Sequence, residues 1–117
     1  MTDATSLPKT GEVHIVRFHP AIGSELKRYR PALVISDTAT KVDLRFTSIL
    51  ALSSRGSEDS IYEHRLKVDS YPFLNKDSFV LCWYPNTIDS SRLIEKIGEI
   101  SATDLNSIRR KFNQLFL

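Results

Sequence analysis

The sequence lacks the features that define several large protein classes. A single cysteine, Cys82, excludes a disulfide within the chain and a cysteine-cluster metal site, and it is typical of a reducing compartment. No apolar run approaches the roughly eighteen residues of a membrane span, and the N-terminus lacks a basic start followed by an apolar core. The sequence therefore predicts a cytoplasmic protein.

The net charge is also small: the sequence has 16 Lys and Arg residues and 14 Asp and Glu residues, which gives a formal net charge of +2. So mild an excess does not identify a nucleic-acid binder, and any such role must depend on a local cluster. The three histidines have no ligand-like spacing among themselves or with acids, so we expect no metal and no other cofactor. At 117 residues the chain fits one domain.

Short apolar runs separated by turn residues make up most of the chain, which is typical of a small barrel or sandwich. Residues 1–10 are polar and are predicted to be a flexible lead-in, whereas residues 11–117 are predicted to form the domain. The predicted strands are five in number and lie at residues 13–18, 31–35, 44–52, 61–68 and 78–84.

The hydrophobic period changes near the C-terminus and predicts a helix. Leu105, Ile108 and Phe112 recur at spacings of three and four residues, which places them on one helical face. Ser101 with Asp104 three residues later resembles a capping box, so the helix should begin there.

A basic loop between the first two predicted strands is the best candidate for chemistry. It ends in Arg30-Pro31, where the proline biases the preceding residue toward an extended backbone. The guanidinium is therefore held at a strand entrance, which suits a phosphate. As an alternative, Arg30 pairs with an acid or only covers that entrance.

The order of motifs from Gly11 to the C-terminus closely resembles the MazF/PemK toxin family. The matching residues are Gly11, Glu12, Pro20, Gly23, Ser24, Glu25, Arg30, Pro31, Val34, Ile35, Ser36, Asp77, Ser78, Thr87, Ile88, Asp89, Arg92, Leu93, Lys96, Ile97 and Gly98. The resemblance implies an α+β fold, a small SH3-like β-barrel with a C-terminal helix.

The same resemblance implies the toxin of a type II toxin–antitoxin system. Such a toxin is a metal-independent, sequence-selective endoribonuclease that cleaves single-stranded RNA through attack of the 2′-hydroxyl. The resemblance also implies a homodimer, with RNA lying across the groove between the subunits. A cognate antitoxin would inhibit it by folding a disordered segment over that groove.

Arg30, Ser53 and Glu25 are the catalytic residues that the resemblance implies. The arginine would stabilise the negative charge of a phosphorane-like transition state. Ser53 would hydrogen-bond the reacting phosphate, although Ser54 offers an equivalent hydroxyl. Glu25 would accept the 2′-hydroxyl proton or tether Arg30, and it is equally consistent with a solvated loop acid.

RNA-binding residues are predicted in the same loop. Lys27, Arg28 and Tyr29 supply two cations and an aromatic ring, which suit backbone phosphates and a stacked base of single-stranded RNA. His19, immediately before Pro20, is the one histidine placed to carry a proton at the base of this loop. Alternatively, His19 has only a structural role.

The sequence departs from the family pattern at Trp83, Tyr84 and Asn86, where many relatives have an acid, a glutamine and an arginine. Trp83 with Tyr84 would form a stacking platform for RNA bases, or a pair within the core or a subunit interface. The change keeps a second function open: a non-catalytic binding protein on the same fold, similar to gyrase poisons or to a barrel that only binds RNA or protein.

Overall fold

The computed structural model describes residues 7–18, 29–37, 41–56 and 60–117. In these ranges the chain forms six β-strands, a 3₁₀ turn (Ser90–Arg92) and a C-terminal α-helix. The strands are β1 (Glu12–Arg17), β2 (Tyr29–Val34), β3 (Phe46–Ser53), β4 (Glu63–Leu66), β5 (Ser78–Asp89) and β6 (Leu93–Glu99), and the helix is α1 (Ala102–Phe116).

All six strands belong to one antiparallel sheet in the order β4-β5-β3-β2-β1-β6. The α+β class is therefore confirmed. The pairing of β3 with β5 is interrupted by a bulge, because Leu50 lies opposite Pro85 whereas Leu52 lies opposite Val80. Residues 81–84 of β5 therefore lie opposite Ala51 alone. Extra residues in one strand of a pair bend that strand.

β6 is the strand that sequence patterning missed. It is the last strand on its side of the sheet and pairs with β1 through two register irregularities. Three of its seven positions carry charged side chains, Glu95, Lys96 and Glu99, and none of its residues is fully buried. Charged side chains and bulges are typical of edge strands, and they remove the alternation by which a strand is recognised.

Apolar side chains form two clusters on opposite faces of the sheet. Leu33, Leu50 and Val80 belong to the cluster that packs under α1, which contributes the buried Ile108. The second cluster lies on the other face, and its members are Val16, Phe18, Ala32, Val34, Ile49, Ala51 and Leu81. Strands β1, β2, β3 and β5 contribute to both clusters, as expected when successive side chains alternate between faces.

Cys82 is buried in the cluster under α1, as its place in an apolar run predicts. Burial raises the pKa of its thiol to about 11, so the thiolate form is scarce at neutral pH.

The predicted start of the C-terminal helix is confirmed. Ser101 is the N-cap of α1, and its Oγ accepts a hydrogen bond from the backbone N–H of Asp104 at 3.1 Å. Asp104 in turn contacts His64 of β4 and Tyr71, and we call these four residues the helix-docking cluster. His64 Nε2 lies 2.8 Å from Asp104 Oδ1, and the Tyr71 hydroxyl donates to Asp104 Oδ2.

Electrostatics of the helix-docking cluster favour the ionised form of Asp104. Burial by itself would raise the pKa of this carboxyl group, but the hydrogen bonds to Tyr71 and His64 outweigh burial and lower the pKa. The Tyr71 hydroxyl also accepts from the Ser101 backbone N–H at 3.0 Å. One carboxylate therefore ties the first turn of α1 to β4 and to the segment that follows β4.

Gly11 and Gly98 are among the described glycines at which a side chain would be disfavoured. Gly11 has φ +95°, a left-handed conformation that L-residues rarely adopt. Gly98 of β6 lies against the ring of Phe73, and a Cβ there would stand 2.3 Å from the ring atom Cε2. The ring of Phe73 therefore packs directly on the backbone of β6.

The last residues of the predicted lead-in contact the domain. Pro8 is buried, and the backbone N–H of Thr10 donates to Asp37 Oδ1 at 2.9 Å. Residues 1–6 lie outside the described residues. Among the described helices, none combines the length and hydrophobicity needed to cross a membrane.

Candidate active site

The register of β2 and β3 brings Arg30 and Ser53 together. Ala32 lies opposite Ala51 in this antiparallel pair. Two residues further along each strand are Arg30 and Ser53, and a step of two keeps both side chains on one face of the sheet. Residues that are 23 positions apart in sequence thus meet at one end of the β2–β3 pair.

Arg30 and Ser53 line a groove with a volume of about 260 Å³. We call it the Arg30 groove. One wall is made by β2 and the end of β3, and the other by the segment that leads into β5. The described residues that line it are Tyr29, Arg30, Pro31, Leu52, Ser53, Ser54, Leu74, Asn75, Lys76 and Ser78.

The guanidinium of Arg30 is partly removed from water without full compensation. Its Nε is buried and has no hydrogen-bond partner among the described residues. Burial lowers the pKa of Arg30, although an arginine stays charged at neutral pH. No carboxylate and no imidazole occur among the described residues of the groove lining. A desolvated cation in such surroundings favours an anionic ligand.

Ser53 presents a hydroxyl whose oxygen is held in place. Its Oγ accepts a hydrogen bond from the backbone N–H of Arg55 at 3.1 Å. The hydroxyl hydrogen remains able to donate to a ligand in the groove. Ser54 also lines the groove but lies beyond the end of β3 and is exposed. Of the two serines, Ser53 is therefore better placed to keep a fixed position beside Arg30.

The remaining predicted site residues fall into two groups. Tyr29 lines the groove, and about half of its surface is exposed. His19, Glu25, Lys27 and Arg28 lie outside the described residues, so their roles stay predictions.

Trp83 lies away from the described lining of the Arg30 groove. It is 47% exposed, its indole Nε1–H points to Glu63 Oε2 at 3.4 Å, and its ring centroid is 5.3 Å from that of Tyr84. Tyr84 packs against the second apolar cluster. The pair therefore combines an exposed ring with a packed one, and a role of Trp83 in binding RNA stays a prediction.

Two residues of the groove were not predicted from the sequence. Asn75 and Lys76 are exposed and form part of the wall opposite β2. A lysine immediately before the family-like Asp77-Ser78 was visible in the sequence. Nothing local, however, indicates that this segment folds against β2.

The described ranges contain no group of three or more His, Cys, Asp or Glu side chains arranged to hold a metal ion. The described groove lining contains two cationic side chains, the guanidinium of Arg30 and the ammonium of Lys76.

Comparison with known proteins agrees with the motif pattern. The sequence model of the family described as "PemK-like, MazF-like toxin of type II toxin-antitoxin system" matches residues 9–116. No curated protein sequence matches the chain.

Solved structures share the fold over nearly the whole chain. MazF from Deinococcus radiodurans is 26% identical with a TM-score of 0.74, covering 93% of this chain and 96% of that one. The toxin MazF-mt6 of Mycobacterium tuberculosis is 19% identical with a TM-score of 0.72, covering 90% of this chain and 95% of that one. An endoribonuclease from a mycobacterial species, solved with its cognate antitoxin, is 16% identical with a TM-score of 0.70, covering 92% and 93%.

Proposed function

Because the chain belongs to the PemK-like, MazF-like toxin family of type II toxin–antitoxin systems, we propose that it is a toxin that cleaves single-stranded RNA. The observation that supports this activity most directly is the Arg30 groove. There a desolvated guanidinium stands beside the hydroxyl of Ser53 with no carboxylate in the described lining. Such a site is suited to a phosphodiester and unsuited to an uncharged ligand.

The proposed reaction is an attack of the ribose 2′-hydroxyl on the adjacent phosphorus. The 2′-oxygen loses its proton and bonds to phosphorus, and the bond from phosphorus to the 5′-oxygen of the next nucleotide breaks. The departing oxygen takes up a proton, so the products are a 2′,3′-cyclic phosphate and a 5′-hydroxyl. Negative charge on the phosphoryl oxygens rises in the transition state, where the guanidinium of Arg30 stabilises it.

Ser53 would donate its hydroxyl hydrogen to a nonbridging oxygen of the same phosphate. Since Arg55 N–H already holds the serine oxygen, the donor needs little reorganisation when the substrate arrives. Tyr29 would stack on a base, with Lys27, Arg28 and His19 on the adjoining loop contacting the backbone.

Proton removal from the 2′-hydroxyl needs a base that the described groove lining does not contain. Trp83 occupies the position where some relatives have an acid for this role. Glu25 is the proposed replacement, and His19 is the other loop residue able to accept a proton near neutral pH. With Arg30 as the stabilising cation, the proposed reaction needs no metal ion.

Partners of the chain are proposed from its relatives. The Deinococcus radiodurans MazF is also solved as a MazE–MazF complex, and the mycobacterial endoribonuclease is solved with its cognate antitoxin. We extend this to the present chain as a homodimer that a cognate antitoxin inhibits. Its RNA substrates would place its action in the cytoplasm.

A second candidate function is supported by Trp83, Tyr84 and Asn86, which replace the acid, the glutamine and the arginine of many relatives. Position 83 carries no carboxylate, and Asn86 stands where many relatives have an arginine. Within the described ranges, the buried Nδ2 of Asn86 has no hydrogen-bond partner. A chain that has lost these groups while keeping the fold is suited to binding RNA or protein without cleaving it.

The deciding experiment incubates the purified protein with a long single-stranded RNA in EDTA and maps both the cut sites and the end groups. We expect discrete cuts with cyclic-phosphate ends, and a loss of at least about 100-fold in rate for Arg30→Ala. Arg110→Ala, on an exposed position of α1, is the matched control and should cut like the wild type. No cutting by wild-type protein would favour the non-catalytic binder, and equal cutting by Arg30→Ala would exclude Arg30 from catalysis.

A further inference from the structure

The wall of the Arg30 groove opposite β2 is a short segment that is buried at both ends. Leu74 is 4% exposed and Ser78 is 8% exposed, whereas Asn75 and Lys76 between them are exposed. The backbone N–H of Leu74 donates to the carbonyl of Tyr71 at 2.9 Å, and Ser78 Oγ donates to the carbonyl of Lys76 at 3.1 Å. The backbone at Lys76 is therefore fixed while its side chain is in water.

Charge around Lys76 is not neutralised by the acid next to it in sequence. The carboxylate of Asp77 accepts from Arg65 Nη2 at 2.5 Å and from the backbone N–H of Val68 at 2.8 Å. These contacts hold Asp77 against β4 and the residues that follow it. The described lining of the groove contains no carboxylate, so Lys76 and Arg30 give both walls positive charge.

Two cations that share a small groove repel each other unless anionic groups lie between or beside them. A single phosphodiester carries one negative charge, so a lone phosphate at Arg30 leaves the second cation uncompensated. A polynucleotide strand supplies a further phosphate on the neighbouring nucleotide. The pattern of charge therefore matches a chain of phosphates better than one isolated anion.

We propose that Lys76 binds a backbone phosphate that neighbours the reacting phosphate and so positions single-stranded RNA in the Arg30 groove. This role depends on the proposed function of the groove. Lys76 would be a positioning residue, because a flexible ammonium on an exposed stem suits a point contact with a phosphate that does not react. Arg30, with its buried Nε, would act on the phosphate that does react.

Binding is measured first, with a pool of fully 2′-O-methylated single-stranded RNA, which cannot be cleaved through the 2′-oxygen. For Lys76→Ala we expect roughly three- to tenfold weaker binding at low salt. We also expect the slope of log affinity against log salt to fall by about 0.7, the value for one contact with a single strand. Lys76→Arg should keep the slope, because it keeps the charge.

The matched control is Lys67→Ala, which removes another exposed lysine from a residue outside the groove lining. It should leave the slope and the affinity close to those of the wild type. If Lys76→Ala behaves as Lys67→Ala does, while the wild type binds and cleaves RNA, the role of Lys76 is wrong and the proposed function stands. If the wild type neither binds nor cleaves RNA, both are wrong.

Steady-state cleavage separates positioning from catalysis. Removing a contact that is made equally in the ground state and the transition state raises KM and leaves kcat unchanged. We expect this result for Lys76→Ala, in contrast to the loss of kcat in Arg30→Ala. A loss of kcat in Lys76→Ala as large as that of Arg30→Ala would overturn the positioning role.

Discussion

The Arg30 groove and the helix-docking cluster each centre on a partly buried charge, and they treat that charge in opposite ways. Asp104 has a partner at both carboxylate oxygens, His64 at one and Tyr71 at the other. Arg30 has a buried Nε that finds no hydrogen-bond partner in the part of the chain that the structure describes. One region is complete in the folded chain, whereas the other has hydrogen-bonding capacity left over.

A lowered pKa has a different meaning at the two places. For the acid Asp104, the lowered pKa means that the fold favours the charged form. For the base Arg30, the lowered pKa means that burial disfavours the charged form. Asp104 therefore contributes to folding stability, whereas burial of the Arg30 charge reduces it. Under the proposed function, an anionic ligand would offset the cost at Arg30, so stability and ligand binding depend on different residues.

The largest stability effect should come from Asp104→Ala. The Tyr71 hydroxyl would keep only Ser101 Oγ as an acceptor, and His64 would lose its carboxylate partner. Loss of a hydrogen bond to a charged group costs about 2 kcal/mol. We expect the free energy of unfolding in urea to fall by about that amount. Asp69→Ala removes the same charge from an exposed position and should leave the urea midpoint unchanged. Equal effects of the two substitutions would mean that the helix-docking cluster contributes nothing beyond net charge.

Ser53→Ala tests the groove side of the comparison. We expect cleavage to slow about tenfold, since one neutral donor to the phosphate is worth about 1.4 kcal/mol. Ser54→Ala should cleave at the wild-type rate, because its hydroxyl lies beyond β3. Rates are measured on the same RNA after circular dichroism has shown that both variants fold. If Ser54→Ala slowed cleavage and Ser53→Ala did not, the hydroxyl contact would belong to Ser54.

The pH dependence of stability should identify Asp104 by its sign. Its pKa is lowered in the folded chain, so the unfolded chain binds the proton more readily. The stability gained from ionised Asp104 is complete above the pKa of the unfolded chain and is lost as pH falls through the lowered pKa. The difference in unfolding free energy between wild type and Asp104→Ala should therefore narrow as the solution is acidified through this range. A gap that widens in acid would contradict this assignment.

Arg30→Met should produce the smallest change in stability. It removes a desolvated cation while keeping much of the side-chain volume, so the free energy of unfolding should stay within about 0.5 kcal/mol of wild type or rise. Arg65→Met is the matched control, because Arg65 is also half-buried but donates to Asp77. It should lower the urea midpoint. A clear loss of stability in Arg30→Met would support the alternative in which Arg30 pairs with an acid.

How far the sequence predicts the fold depends on the range of the contacts. Ser101 and Asp104 cap a helix through neighbours three residues apart, so the sequence alone locates the helix start. Four of the predicted strands, β1 to β4, are found with ends shifted by one or two residues, since their own apolar residues indicate them. β6 was missed because its stability comes from pairing with β1, which the alternation of its own residues does not show.

The site was predictable only in part for the same reason. Arg30 and Ser53 were paired through the family resemblance, whereas the physical reason for their proximity is the β2–β3 register. Lys76 reaches the groove because Leu74 and Ser78 are buried on either side of it, and no pattern within the segment reports this packing. Trp83 was predicted to bind RNA because it forms an aromatic pair with Tyr84, and this role stays a prediction; the residue lies in the bulged part of β5, which its sequence did not indicate.

The contact of Gly98 with the ring of Phe73 has a consequence for genetics. Phe73 is three residues before Lys76, so a side chain at position 98 would displace the segment that forms one wall of the Arg30 groove. In a selection for cells that survive expression of the toxin, substitutions of Gly98 should then be found as often as substitutions of residues in the groove itself. A map of such escape mutations would therefore extend to the edge strand β6, outside the described lining of the Arg30 groove.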